Sequence, residues 1–353
     1  MQKTFNDVLY LESGRMISPV TIAYETYGKL SSKKNNAILL CHALTGSARV
    51  AGTKDNPGWW EPMVGAGKAF DTDRYFVICS NILGSCYGTT GPSSIDPYTG
   101  EPYALRFPVI TVKDMVVLQK RLIEYLGIER LYCVAGSSLG GMQALSWAVT
   151  FPEMTARMIA ISTARNITPM AIAFNTVARY AITKDPFFCD GNYYGKTPPN
   201  NGLAIGRMAG HITYLSDAAF NRKFGRRYAT FEGIYDFNGF FEVENYLRYN
   251  GYKFTDRFDA NSYLYLLKAM DIFDIEYGYS SFEAAMARIT AKALFITFTS
   301  DTLFPEYQTA DLVNMMKKIN NPPVWARVES DYGHDSFLLE FDKQTEHIRE
   351  FLG

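Results

Sequence analysis

Short apolar runs alternating with helical stripes predict an α/β fold with a mostly parallel central sheet and a helical insertion. Three observations carry this. Compact runs rich in branched apolar residues recur at 37–41, 74–79, 131–134, 158–161 and 292–298, the pattern of strands buried on both faces. Helix-forming segments follow several of them, notably after 111 and after 138. The alternation then stops from about 165 to 289, a stretch rich in Tyr, Phe, Asn and Arg, and resumes with KALFITF at 292–298. The most economical division is a core of 1–164 and 290–353, with 165–289 inserted as a helical lid.

Taken in order, 5–11 and 18–27 alternate apolar with polar and are joined by Glu12-Ser13-Gly14-Arg15, which predicts an antiparallel hairpin at the sheet edge. The strand at 37–41 runs into His42-Ala43-Leu44-Thr45-Gly46-Ser47. The strand at 74–79 leads into an irregular segment, 81–109, dense in Gly, Pro, Ser and Tyr; so long a loop in a compact domain points to function. Thr111-Val112-Lys113-Asp114 has the form of a capping box with Asp for Glu, and the apolar stripe behind it ends at Gly127. Within the insertion, 202–214 and 258–270 are helical. A helix over about 306–319, a strand at 324–328 and a C-terminal helix complete the chain.

Leu131 to Thr150 reads LYCVAGSSLGGMQALSWAVT: strand, G-x-S-x-G, helix. This succession describes a nucleophile elbow, in which Ser138 sits on a sharp, strained turn and its neighbours must lack side chains. An acid and a histidine must then follow. Asp301 stands just past the strand at 292–298. Of the four histidines, only His334 follows that acid on a loop after the last strand. His42 precedes the serine and reads as a residue ordering its own loop; His211 lies in the insertion and His347 in the terminal helix. The order Ser138, Asp301, His334 is that of the α/β-hydrolase fold, which supplies an oxyanion hole from two backbone N–H groups. Leu44 and Leu139 are the candidates here.

With 353 residues, 47% hydrophobic and 20% charged, and a net charge of −1, the chain buries a full core and lacks the basic excess of a nucleic-acid binder. Its five cysteines show no metal-binding spacing, and Cys41, Cys79 and Cys133 fall in or beside core strands. The N-terminus MQKTFNDVLY has no apolar signal-peptide region and no run approaches membrane-spanning length. The expectation is a cytoplasmic protein with no nucleic-acid or membrane partner.

The chain closely resembles the homoserine and serine O-acyltransferases of the α/β-hydrolase fold, above all the homoserine O-acetyltransferases. The matching stretches include CHALTGSARVAG (41–52), FPVITVKDMVVLQ (107–119), GSSLGGMQALSW (136–147), NGLAIGRMAGHITYLS (201–216), TSDTLFP (299–305) and YGHDSFL (332–338). The resemblance implies a Ser138–Asp301–His334 triad, Arg207 on the amino-acid carboxylate and Asp335 on its amino group. It further implies L-homoserine and acetyl-CoA as substrates, with acetyl-CoA a co-substrate and no metal or other cofactor, a ping-pong acyl-serine mechanism in methionine biosynthesis, and a homodimer through the lid.

Two departures bear on the acyl pocket: Gly136-Ser137-Ser138-Leu139 where Gly-Gly-Ser-Met is commoner, and Arg49 where histidine is common. Succinyl transfer to homoserine or serine, and ester hydrolysis, are the alternative activities. Arg222, Lys223, Arg226 and Arg227 read as a solvated helix face, with contact to CoA phosphates as the lesser alternative.

Overall fold

The computed structural model describes residues 1–53, 55–229 and 235–353, so 230–234 of the expected lid lie outside the described residues. Among the described residues ten strands occur: β1 (Gln2–Phe5), β2 (Leu9–Tyr10), β3 (Met16–Ile17), β4 (Val20–Tyr27), β5 (Ala37–Cys41), β6 (Phe76–Ser80), β7 (Cys133–Ser137), β8 (Arg157–Ile161), β9 (Lys292–Phe298) and β10 (Val324–Val328). Eight of them form one sheet in the order β1-β4-β6-β5-β7-β8-β9-β10. The pairs β1/β4 and β4/β6 are antiparallel and the rest parallel.

The central strands are apolar throughout because both of their faces are covered. Leu39, Val134 and Phe295 pack into one core with the helices after β6 and β7. Ile38, Leu40, Ala135 and Ile159 point the other way, onto Trp60, Phe70 and the C-terminal helix.

The helices are α1 (Val112–Tyr125), α2 (Leu139–Thr150), α3 (Pro169–Thr183), α4 (Asn200–Tyr214), α5 (Asp217–Lys223), α6 (Glu242–Thr255), α7 (Ala260–Asp271), α8 (Phe282–Met286), α9 (Glu306–Lys318) and α10 (Phe341–Leu352). The capping box of α1 is present: Asp114 N–H donates to Thr111 Oγ1 at 3.2 Å, and Thr111 N–H to the Asp114 carboxylate at 2.8 Å. Between β8 and β9 the chain is helical, with α3, α4 and α6 packed together.

The N-terminal hairpin differs from expectation. The strand beside β4 is 2–5, not 5–11, and β2 pairs instead with β3 in a separate ribbon. Helix α1 draws that ribbon off the sheet. Arg121 donates to the carbonyls of Asp7 and Val8 at 3.0 and 2.6 Å, and the Glu12 N–H donates to Asp114 at 2.9 Å. The segment 81–109 has little regular structure but is tied to β4, through Asn81 N–H to Ala23 O and Thr90 N–H to Thr21 O.

Candidate active site

Strand β7 lies at the middle of the sheet, and Ser138 follows it at the carboxyl edge, where open α/β sheets place their sites. Ser138 holds φ 57° and ψ −124°, a conformation costing a non-glycine residue roughly 1–3 kcal/mol. The surroundings fix it. Its N–H donates to Ile161 O, and its carbonyl accepts from Met142 N–H and the Thr163 hydroxyl. The flanking glycines are steric necessities: a methyl on Gly136 would lie 2.2 Å from Gly140 O, and one on Gly140 only 2.0 Å from Cys41 O.

Ser138 caps α2 with no side-chain cap bond, leaving its hydroxyl at a helix N-terminus that favours negative charge. The Leu139 N–H, first in that helix, has no intrahelical acceptor. Leu44 lines the same cavity as Ser138, and among the described residues its N–H has no backbone acceptor.

His42 orders the Leu44 loop, as its position suggested. The ring is fully buried, with Nδ1 against Ala43 O at 2.7 Å and Nε2 accepting from Ile82 N–H at 3.2 Å. Burial lowers its pKa to about 4, so at neutral pH it is an uncharged strut.

Asp301 follows β9 with its carboxylate fully engaged. One oxygen accepts the N–H groups of Leu303 and Phe304 at 3.0 and 2.9 Å; the other meets His334 Nδ1 at 2.8 Å. Both side chains are almost completely buried. The imidazole is walled by Phe304, Phe337 and Tyr214, with ring centres 5.2, 5.4 and 6.3 Å away. Ser138 and His334 are not hydrogen-bonded to each other, yet the cavity of about 40 Å³ that contains Ser138 is lined by Phe304 and Tyr214, two of those same walls. Gly333 permits the approach of the histidine turn to the helical insertion: at φ 70°, a methyl there would lie 2.6 Å from Ser216 N.

Arg207 and Asp335 complete the set. Arg207, on α4, lies over the rings of Tyr214 and Phe254, and its Nη1 donates to the Tyr214 hydroxyl at 3.4 Å. Gly210 makes this possible, because a methyl there would stand 2.8 Å from that hydroxyl. Burial raises the Asp335 pKa, Asp301 adds to that effect, and His334, Arg207 and Lys223 oppose it. Arg207 and Asp335 thus feel each other's field without forming an ion pair. A cation and an anion left apart in this way can receive the two ends of a zwitterion.

The sequence reading did not single out Tyr214 and Tyr263, which both line the Ser138 cavity. The seven-residue step from Arg207 to Tyr214, two helical turns, was the available signal. His211 is excluded as a base: it is buried, Nδ1 contacts the Tyr246 hydroxyl at 3.0 Å, and burial, then Arg207, Lys223 and Arg257, lower its pKa to about 3. A larger cavity, about 1020 Å³, adjoins the loop of Leu44 and is lined by Ala43, Thr45, Arg49, Arg207 and Arg257. Another apolar cavity, about 290 Å³, beside α1 and α2 shares no lining residue with either.

The family model for the α/β-hydrolase fold matches residues 36–341. A homoserine O-acetyltransferase of Deferribacter desulfuricans is 70% identical, over 99% of this chain and 94% of that protein. The chain belongs to the homoserine O-acetyltransferase family. A crystal structure of a family member from Bacillus anthracis superposes with a TM-score of 0.95 at 32% identity, covering 100% of this chain and 97% of the other. The crystal structure of esterase E22 is nearly as similar, with a TM-score of 0.91 at 33% identity and full coverage of both chains. The fold of this chain is therefore similar both to a homoserine O-acetyltransferase and to an esterase, and by itself does not separate transfer from hydrolysis.

Proposed function

We propose that this chain transfers the acetyl group of acetyl-CoA to the side-chain hydroxyl of L-homoserine, as the name of its 70% identical relative indicates, in methionine biosynthesis. The carrying observation is that Arg207 and Asp335 flank the buried His334–Asp301 pair and are not paired with each other. Arg207 takes the homoserine carboxylate and Asp335 its ammonium group, which directs the hydroxyl toward Ser138.

The mechanism is ping-pong. His334 accepts the Ser138 proton as Oγ attacks the thioester carbon, while Asp301 holds the imidazole tautomer and stabilises its charged form. The Leu44 and Leu139 N–H groups receive the oxyanion. The C–S bond breaks, and CoA leaves with the proton from His334. Homoserine then gives its hydroxyl proton to His334 and attacks the acetyl-serine carbonyl. The ester bond to Ser138 breaks, and the proton returns to Ser138. An anchored hydroxyl competes with water through its high effective molarity, and residues 165–289 serve as the cover that keeps water scarce.

Acetyl is favoured over succinyl by the inner cavity. About 40 Å³ accommodates about three waters, comparable to a two-carbon acyl group, and among the described residues no charged side chain lines it to meet a second carboxylate. The free thiols suit a cytoplasmic setting. A homodimer through the insertion is supported by the exposed Val177 and Tyr180 on α3, Ile205 and Ile212 on α4, and Tyr249 and Tyr252 on α6.

The test is a matrix of acetyl-CoA and succinyl-CoA against homoserine, serine and water. O-acetylhomoserine as the dominant product is expected. CoA release at equal rates with and without homoserine would instead identify an esterase.

A further inference from the structure

The large cavity holds more positive charge than the acceptor requires. Among the described residues Arg49, Arg207 and Arg257 line it, against a single carboxylate, Glu25. Arg207 is assigned to homoserine, which leaves two guanidinium groups without a task.

Arg257 follows α6 directly and is fixed in place. Its Nη1 donates to Thr45 O at 3.2 Å and to the Tyr87 hydroxyl at 2.7 Å, and the guanidinium lies 5.0 Å from the Phe254 ring centre. Of the five N–H donors of an arginine, those on Nε and Nη2 make no hydrogen bond among the described residues, and no carboxylate pairs with the group.

Arg49 meets Glu25 through Nε at 3.3 Å, Glu25 also accepts the Tyr27 hydroxyl at 2.5 Å, and among the described residues the Nη groups of Arg49 make no hydrogen bond. Its loop is pinned, because Arg49 O and Val50 O accept the N–H groups of Trp59 and Trp60. Trp59 lines the same cavity and stacks on Trp60 with ring centres 5.2 Å apart.

The basic cluster on and after α5 has other partners. Arg222 pairs with Asp331 and lies over Tyr332, Lys223 lies over Tyr246, Arg226 lies over Phe241, and Arg227 donates to Lys223 O. None of these four lines the cavity.

We propose that Arg257 and Arg49 form the subsite for the nucleoside-diphosphate part of the acyl-CoA donor, with Trp59 as the wall for its purine. This rests on the transferase reading above. A cavity of about 1020 Å³ is at the upper end of roughly 300–1,000 Å³ for small-molecule and cofactor sites, in keeping with a long, folded donor. Open guanidinium donors are well matched to phosphate oxygens. Arg257 also links the two ends of the donor. It holds the carbonyl of Thr45, the residue after Leu44, so gripping the diphosphate braces the loop whose N–H faces the oxyanion. Binding energy from the unreactive end of the donor then supports the reacting end.

The test compares acetyl-CoA with S-acetylpantetheine, which lacks the nucleotide and its phosphates. In Arg257→Gln, the ratio of kcat/KM for acetyl-CoA to that for S-acetylpantetheine should fall about tenfold or more, the loss expected for hydrogen bonds between charged groups. Arg49→Gln, whose charge Glu25 already offsets, should show the same trend more weakly. Calorimetric binding of desulfo-CoA gives a readout free of turnover, and its affinity should fall about tenfold in Arg257→Gln, with a shallower dependence on KCl. A ratio unchanged in both variants, with desulfo-CoA affinity also unchanged, overturns the subsite. If wild-type protein forms O-acetylhomoserine under those conditions, the functional reading survives that failure. Desulfo-CoA binding that weakens in the variants, in a protein with no homoserine-dependent transfer, keeps the subsite and removes the reading.

Discussion

Replacing Asp301 with Asn tests the proposed site with almost no change of shape. The two carboxylate oxygens are not equivalent. One accepts two backbone N–H groups, from Leu303 and Phe304, and the other faces His334 Nδ1 at 2.8 Å. The asparagine oxygen must remain with the two N–H donors, because turning the amide would set an NH2 group against both. Leaving two buried donors unmet costs about 1–3 kcal/mol each. The NH2 group therefore faces Nδ1, which must present its lone pair, and the ring proton moves to Nε2. In that tautomer His334 cannot accept the Ser138 proton. The expected loss in kcat is about 10³- to 10⁴-fold, or about 4–5.5 kcal/mol of transition-state stabilisation. Acetylation of Ser138, followed by mass spectrometry after mixing with acetyl-CoA, should slow by a similar factor, while the melting temperature shifts little. A kcat within about tenfold of wild type, in a protein of unchanged Tm, would refute the assignment of Asp301 as the group that sets the histidine tautomer.

Other expectations follow from the same geometry. Arg207→Lys removes the two-pronged donor but keeps the charge; the homoserine KM should rise about 10- to 100-fold while CoA release in the first half-reaction stays near wild type, and an unchanged KM would remove Arg207 from the acceptor site. Gly140→Ala places a methyl 2.0 Å from Cys41 O, a backbone atom with no room to retreat, so urea denaturation should show a loss of about 3 kcal/mol or more; wild-type stability would contradict the packing described for the elbow. His42 and His211 are neutral when folded, their pKa values lowered from 6.5 to about 4 and about 3 by burial. The unfolded chain binds protons below pH 6.5 that the folded chain refuses, so stability should fall as pH drops from 6.5 toward 4, on the order of 3 kcal/mol for His42, and level off below. In His211→Gln the slope of unfolding free energy against pH should be shallower across that window, and an unaltered slope would show that His211 is not buried neutral.

The parts of this site that were legible in the sequence are those whose cause is local. A serine at φ 57° between strand and helix needs glycines on both sides whatever the distant chain does, so G-x-S-x-G identified the elbow. The Thr111–Asp114 cap likewise depends on four consecutive residues. What could not be read depends on partners far along the chain. The alternation in 5–27 is real, but Arg121 and Asp114 on α1 decide which part of it reaches β4. Nothing in the sequence around Arg257 marks it out. Its role emerges only once the fold brings it to Thr45, 212 residues earlier. Arg207 and Asp335 fall between these cases: resemblance alone suggested roles for them, and the structure adds that they are opposite charges left unpaired with each other.

The near coincidence of this fold with that of an esterase sharpens what distinguishes a transferase. In the proposed mechanism a buried imidazole on a carboxylate and a strained serine, which share the walls Phe304 and Tyr214, supply acylation chemistry to any thioester or ester that enters. The acceptor is chosen in the second step, by whatever holds a hydroxyl closer and more persistently than water. Under the function proposed above, that task falls to residues outside the Ser–His–Asp set: Arg207, packed over Tyr214 and Phe254, and Asp335, adjacent in sequence to His334. Placing the acceptor's anchor next to the base makes their relative position depend on one short turn, fixed by Gly333 N–H to Ser300 and Ser336 to Gly333 O. On the proposed function, the deprotonating nitrogen and the ammonium-binding oxygen therefore keep a fixed relation, and a substitution that displaces Arg207 should weaken homoserine binding before it slows acylation of the serine.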